Sequence, residues 1–326
     1  MLAISFENAG GPEVLKVIDI EKPSAEKKEV IIKVVGAGVN RPDLLQREGN
    51  YPAPLGHSKI LGLEVSGYVD SIGKDVKDFK IGDPVCALVN GGGYAQYCKV
   101  DERQVMHAPQ NLNFYEAAAI PECFFTCWAN LFDKGAVKKK EKVLIHGGSS
   151  GIGTSAIQIL NYLGIENFVT VGSEKKKIMC KKLGATLAIN YKKKDFFEVI
   201  KLKTAKKGVD LIMDIVGGDY IQKNINLLSN EGRLINIAFQ NGSTANVNFI
   251  KVMLKRLIIT GSTLRIRDVR YKQKIRNAIV KNIVPGIESG IIKPVIDSIF
   301  EFRDVIKAHK RMYSGKHFGK IVLKFN

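Results

Sequence analysis

From Lys142 onward the chain alternates short β-branched runs with helical stretches, and this rhythm limits its fold more than any other feature. Val143-Leu144-Ile145-His146 leads into 152–163, Phe168-Val169-Thr170-Val171 into 174–183, and Leu187-Ala188-Ile189-Asn190 into 195–203. Val209 to Asp214 leads into 219–228, Arg233 to Phe239 into 248–254, and Leu257-Ile258-Ile259-Thr260 closes the series. Parallel strands need a crossover, which a helix supplies. Six such runs therefore predict an α/β fold built on a doubly wound parallel sheet.

The preceding stretch is punctuated differently. Val30 to Val35, Ile60 to Ser71 and Asp83 to Val89 are short β-rich runs broken by Gly, Pro and Asp, as in Asn90-Gly91-Gly92-Gly93. They predict a compact, barrel-like β domain with irregular loops. After Thr263 comes a basic helix around 271–282, then strands at Pro294-Val295-Ile296 and 319–323 that do not extend the parallel series. These are expected to return to the first domain. At roughly 150 residues per domain, 326 residues suggest two. The expected division is 1–121 with 265–326, and 122–264.

Gly147-Gly148-Ser149-Ser150-Gly151-Ile152-Gly153 follows the first parallel strand and opens a helix, which is the setting of a dinucleotide-binding turn. Glycine lets the backbone approach a pyrophosphate, and the helix start offers N–H groups without intrahelical acceptors. With Gly148 as first glycine and Gly153 as last, Ser150 stands where the second glycine belongs. An NAD site carries an acid about twenty residues further on. Here the chain reads Gly172-Ser173-Glu174-Lys175-Lys176-Lys177, whose hydroxyl and lysines suit a 2′-phosphate, so the expected cofactor is NADPH. The alternative makes these lysines exposed helix positions, with Glu174 facing the ribose. Gly217-Gly218 and Phe239 follow the fourth and fifth strands, where ligands of open α/β sheets bind. His146 is expected to be a buried, hydrogen-bonded histidine.

Lys plus Arg number 50 and Asp plus Glu 32, a formal charge of +18. The lysines are scattered rather than gathered into an arm, so the charge predicts at most weak, salt-sensitive attraction to polyanions. Cys86, Cys98, Cys123, Cys127 and Cys180 form no disulfide framework, which fits a reducing compartment and a cytoplasmic location. No apolar run approaches the roughly twenty residues of a membrane span, and Met1 to Gly11 does not read as a signal peptide.

Two oxidoreductase superfamilies use such a turn. Short-chain dehydrogenases place it near the amino terminus and pair it with Tyr-x-x-x-Lys. No tyrosine here has a lysine four residues on. The chain instead resembles the medium-chain dehydrogenase/reductase superfamily over nearly its whole length. The resemblance is carried by Gly10-Gly11-Pro12-Glu13, Asn40-Arg41-Pro42-Asp43-Leu44, 61–67, Ile120-Pro121-Glu122, 172–176, Asn190-Tyr191-Lys192-Lys193 and Gly319-Lys320-Ile321-Val322-Leu323. It is most similar to the zinc-independent quinone oxidoreductase (zeta-crystallin-like) branch, in particular the tumour-suppressor-inducible subgroup.

The resemblance implies a GroES-like catalytic domain beside a Rossmann domain, with the active site in the cleft between them. It implies hydride transfer to quinones or α,β-unsaturated carbonyls, with 2-enoyl thioesters or alkenals as the alternative acceptors. Where zinc-dependent members carry Cys, His and Cys, this chain has Asn40, Leu63 and Glu122, so no metal is expected. Asn40, Asp43 and Tyr51 are the implied substrate-side residues. Thr126 is placed beside the nicotinamide, and Ser173, Lys176 and Tyr191 around the 2′-phosphate; Gly148, Ser150, Gly151, Ile152, Gly153, Gly217 and Phe239 complete the cofactor set. Related proteins form homodimers, often through the last parallel strand, here 257–264. From a different class, an RNA-binding or crystallin-like role is the alternative that the charge suggests.

Overall fold

The computed structural model describes residues 1–325, which divide into two compact units: Met1–Phe125 with the chain from Arg265 onward, and Thr126–Leu264. Among the described residues no helix is long and apolar enough to cross a membrane.

The first unit opens with the antiparallel pair β1 (Leu2–Ser5) and β2 (Lys16–Asp19). β3 (Glu29–Val39) follows and runs into helix α1 (Arg41–Arg47). Then come β4 (Glu64–Ile72), β5 (Pro84–Leu88), β6 (Tyr97–Asp101) and β7 (Val105–His107), followed by helix α2 (Phe114–Ala117) and helix α3 (Pro121–Trp128). β4 starts later than the apolar run suggests, because Gly62 adopts φ +96 and turns the chain before Glu64. A side chain at Gly62 would also meet the backbone of Gly93 and Tyr94 at 2.6–2.7 Å.

The second unit is the expected doubly wound sheet: β8 (Lys142–His146), β9 (Glu166–Val171), β10 (Leu187–Asn190), β11 (Val209–Asp214), β12 (Leu228–Asn236) and β13 (Ile258–Gly261). They lie in the order β10-β9-β8-β11-β12-β13, all parallel. Helices α4 (Gly151–Tyr162), α5 (Glu174–Lys182), α6 (Phe196–Lys203), α7 (Tyr220–Leu227) and α8 (Ile250–Lys255) make the connections. Such a sheet is covered on both faces, which is why its central strands read as unbroken apolar runs. Val143, Leu144, Ile145, Leu211, Ile212 and Met213 are all fully buried, each worth about 1.5–3 kcal/mol of transfer free energy. β12 begins five residues before the predicted Arg233. A register shift after Val209 accommodates the extra residues, with Glu231 at φ +59.

The chain then returns to the first unit through a helix at Val269–Asn282 and two strands, β14 (Ile296–Glu301) and β15 (Lys320–Lys324). These complete a sheet ordered β14-β15-β3-β4-β5-β7, with β6 also paired to β3. The expected strand at 294–296 is displaced toward the C-terminus. Pro294 has no N–H to give a ladder and precedes the strand instead. Val30, Ile32, Val65, Val85, Ile321 and Leu323 form the centre of this unit's core.

Candidate active site

In the second unit the strand order reverses between β8 and β11, and ligands of such sheets bind at the carboxyl ends near that point. The sequence-predicted cofactor residues other than Thr126 and Lys176, which lies in the first turn of α5, fall at or just past carboxyl ends. Gly148 to Gly153 follow β8, Ser173 follows β9, Tyr191 follows β10, Gly217 follows β11 and Phe239 follows β12. Thr126 sits on α3, 8% exposed, with its carbonyl taken by Asn130 Nδ2 at 2.8 Å.

Ser150 is the N-cap of α4, not a substitute glycine. Its Oγ donates to the Gly147 carbonyl at 2.8 Å and accepts from the Gly153 N–H at 3.0 Å. The first-turn N–H groups of Gly151 and Ile152 have no intrahelical acceptor and carry the positive end of the helix dipole. Gly153 cannot be replaced cheaply, since a Cβ there would lie 2.3 Å from the Gly147 oxygen. His146 is buried as expected, bonded to Thr170 Oγ1 at 2.9 Å and Asn224 Oδ1 at 2.8 Å, and burial holds its pKa down.

At the end of β9, Ser173 caps α5 by accepting from the Lys176 N–H at 3.2 Å. The Tyr191 hydroxyl lies 2.9 Å from where a Gly172 side chain would begin, so a residue with a Cβ at 172 would collide with it. Glu174, the acid that could have faced a ribose, is engaged elsewhere. It accepts from Asn190 Nδ2 at 2.9 Å and from Lys177 Nζ at 3.2 Å, and the Asn190 bond leads the causes that lower its pKa.

In the first unit a buried polar network surrounds the β3–α1 corner. Lys320, the first residue of β15 and 3% exposed, donates to Glu64 Oε1 and Asn40 Oδ1, both at 2.5 Å. Asn40 Nδ2 donates to the same Glu64 oxygen at 2.9 Å, and Glu64 Oε2 accepts from the Glu122 N–H at 2.8 Å. Burial opposes the Lys320 ammonium, but the neighbouring Cys123 and Glu64 outweigh it and raise its pKa. Asp43 closes a capping box by accepting from the Asn40 N–H at 2.8 Å. It also accepts from the Gly62 N–H at 3.0 Å and the Tyr94 hydroxyl at 3.1 Å. Burial pushes its pKa up to about 6 against those hydrogen bonds.

Asn40 and Asp43, expected on the substrate side, are both drawn into this network. Asp43 is fully buried with both oxygens engaged, and the Asn40 amide is spent on Lys320, Glu64 and Gly38. These bonds tie both side chains into the β3–α1 corner. Tyr51 differs: it is half-buried on the exposed 49–58 loop, 5.5 Å beneath the Arg265 guanidinium. Its pKa is raised by burial and then by Glu122, so its hydroxyl keeps its proton. Sequence reasoning missed Lys320, Arg265, Tyr94 and Lys272, which donates to Asn90 Oδ1 and the Arg265 carbonyl, as members of this neighbourhood. For Lys320 a signal existed: one lysine heading the apolar run Ile321-Val322-Leu323.

Zinc does not fit here. Leu63 has no donor atom, and a lysine ammonium already lies against the Asn40 and Glu64 oxygens that a cation would seek. Cys123 and Cys127 are buried on α3, consistent with small apolar fillers. The dinucleotide does fit the second unit. Its glycine cradle, capped helix start and polar β9 end are the groups such a ligand uses.

Residues 26–110 match the alcohol dehydrogenase GroES-like domain, and residues 183–323 match a domain described as zinc-binding dehydrogenase. The human quinone oxidoreductase is 32% identical over 326 residues, covering 99% of this chain and 97% of its own. The structure of Escherichia coli quinone oxidoreductase complexed with NADPH superposes with a TM-score of 0.89 at 27% identity, covering 100% of both chains. That of an NAD-dependent alcohol dehydrogenase superposes with a TM-score of 0.87 at 30% identity, also over 100% of both. With near-complete coverage at that identity and both domains accounted for, the chain belongs to the quinone oxidoreductase family of the medium-chain dehydrogenase/reductase superfamily.

Proposed function

We propose that the protein is an NADPH-dependent, zinc-independent reductase of quinones or α,β-unsaturated carbonyls. The observation that carries this reading is the Lys320–Glu64–Asn40 network, in which an ammonium already lies against the oxygens that a cation would seek, beside a Leu63 that has no donor atom. Without a Lewis acid to polarise an alcohol, acceptors that take hydride readily are favoured. When bound, NADPH supplies that hydride from its nicotinamide C4. The chain supplies binding, orientation and proton management.

Gly148, Gly151, Ile152 and Gly153, with Ser150 as their cap, would hold the pyrophosphate. Ser173, Lys176 and Tyr191 would hold the 2′-phosphate, and Thr126, Gly217 and Phe239 the remainder. Two neighbours bear names with different cofactors, and Glu174 favours NADPH: its carboxylate is tied to Asn190 and Lys177 rather than open to a ribose. Tyr51 would contact the acceptor, with Asn40 and Asp43 as positioning residues.

We also propose a homodimer joined at β13. This edge strand leaves Ile258 56% exposed, and α8 exposes Met253 and Leu254, a surface that a second copy would cover. The buried cysteines support a reducing, cytoplasmic setting. Nucleic acid is expected to bind only weakly, through the scattered charge.

The test is an NADPH-oxidation screen across quinones, alkenals and enoyl thioesters. Turnover with quinones or enones supports the reading. Turnover confined to enoyl thioesters would transfer it to the alternative acceptor class, and none at all would remove it.

A further inference from the structure

We propose that Arg265 is a catalytic group: its Nη1 donates a hydrogen bond to the acceptor's carbonyl oxygen, the atom left negatively charged by hydride transfer. The inference rests on the reductase function proposed above and adds to it the class of acceptor, one whose carbonyl oxygen is conjugated to the atom that receives hydride.

Three observations in the first unit lead to it. Arg265 is 6% exposed, and its Nε and Nη2 both donate to the Asn90 carbonyl, at 3.0 and 2.8 Å. Its Nη1 is buried and has no hydrogen-bond partner among the described residues. A guanidinium is always charged, and a buried charged donor left unmatched is costly enough to call for an explanation. A ligand oxygen that arrives during turnover is such an explanation.

The second observation is an excess of buried positive charge. Lys272 is fully buried, donating to the Arg265 carbonyl at 2.9 Å and to Asn90 Oδ1 at 2.5 Å. The carboxyls that act on these cations are Glu122 and Asp43 on Arg265, and Glu122 and Asp268 on Lys272; burial pushes Glu122 up to about 7 and Asp43 up to about 6. They offset the two cations only in part, and Lys272 is itself lowered to about 8 by burial. An incoming negative charge restores the balance.

The third is the cover over the guanidinium. The Tyr51 ring lies across Arg265 on a loop whose residues 55–59 are all exposed, Leu55 completely. One backbone bond, from the His57 N–H to the Pro54 carbonyl, spans the loop's turn, and Gly49 and Gly56 adopt φ +82 and +78. In this proposal the Tyr51 ring, carried on that exposed loop, moves aside for the acceptor to reach the guanidinium.

The chemistry balances. Hydride leaves NADPH for the conjugated acceptor, the acceptor's π electrons shift onto its carbonyl oxygen, and NADP⁺ remains. A proton from solvent then converts the oxyanion to hydroquinone or carbonyl product. A donor fixed beforehand where charge develops stabilises the transition state more than the ground state.

The experiment compares wild type with Arg265→Met and Arg265→Lys in three measurements. They are quinone turnover, NADPH affinity by fluorescence, and binding of 4-nitrophenolate followed by its visible absorbance. Loss of one oxyanion donor lowers kcat roughly a hundredfold. The expected result for Arg265→Met is that fall, with acceptor KM and NADPH affinity nearly unchanged and nitrophenolate binding lost. Arg265→Lys keeps the charge and a donor for Asn90, so it keeps its fold and recovers part of kcat. It also serves as the measurement should the methionine variant not fold. A kcat within about threefold of wild type in a folded variant, or equal nitrophenolate binding, would overturn the proposal. If wild type itself does not oxidise NADPH, the reductase function fails, and the nitrophenolate titration alone decides whether Arg265 is an anion donor.

Discussion

Lys320→Met tests the electrostatic core of the first unit. The substitution keeps most of the side-chain volume but removes an ammonium 2.5 Å from both Glu64 and Asn40. It leaves the Glu64 carboxylate, 0% exposed, with only the Asn40 amide and the Glu122 N–H as donors. Removing one partner of a buried ion pair costs about 3–5 kcal/mol, chiefly the uncompensated charge that remains. At about 2–4 °C per kcal/mol for a domain of this size, the melting midpoint should fall roughly 6–20 °C. The assay is thermal and urea unfolding followed by circular dichroism at neutral pH. Adding Glu64→Gln to Lys320→Met should recover about 1–2 kcal/mol, because a neutral amide leaves no buried charge behind. Glu64→Gln alone strands the lysine instead and should be as damaging as the single lysine variant. A loss under about 1 kcal/mol for Lys320→Met would refute the reasoning, since surface-like pairs behave that way.

Other consequences are as direct. Lys176→Glu should raise the NADPH Michaelis constant at least about tenfold while barely changing that for NADH, because one charge contact is lost and reversed; equal effects on both cofactors would remove the 2′-phosphate assignment. Gly153→Ala should abolish measurable cofactor binding, since its Cβ would lie 2.3 Å from the Gly147 carbonyl oxygen at the start of α4; unchanged NADPH affinity by fluorescence titration would contradict that packing. Glu122 is pushed up to about 7 by burial and by Glu64, from an ordinary 4.5. The native state therefore holds an extra proton between pH 4.5 and 7, and stability falls as pH rises through that window. Glu122→Gln should flatten this decline in unfolding titrations; an unaltered pH profile would exclude the raised pKa.

The parallel sheet was legible because its strands are buried on both faces and its helices follow at regular intervals. Periodicity reports burial, and burial there is uniform. Boundaries were less legible where a turn or bulge, not hydrophobicity, sets them: Gly62 delays β4, Pro294 delays β14, and the Glu231 bulge lengthens β12. The glycine turn and the strand ends around it were readable in place, since turn, cap and strand end are neighbours in sequence. The substrate side was not. Lys320 meets Asn40 across 280 positions and Glu64 across 256, and Arg265 meets Asn90 across 175. No local pattern announces such pairs. The hydrogen bonds that draw Asn40 and Asp43 into the network are likewise revealed only by the folded corner.

Initial rates with purified, chelator-treated protein and a simple quinone offer the most direct test, measured with NADPH and NADH side by side and with metal content determined on the same sample. The expected result is undiminished turnover without stoichiometric zinc, and a kcat/KM at least about tenfold higher for NADPH, as one well-placed phosphate contact provides. Activity that vanishes with the metal would contradict the zinc-independent reading, and equal use of the two cofactors would contradict the polar β9 end as a 2′-phosphate site.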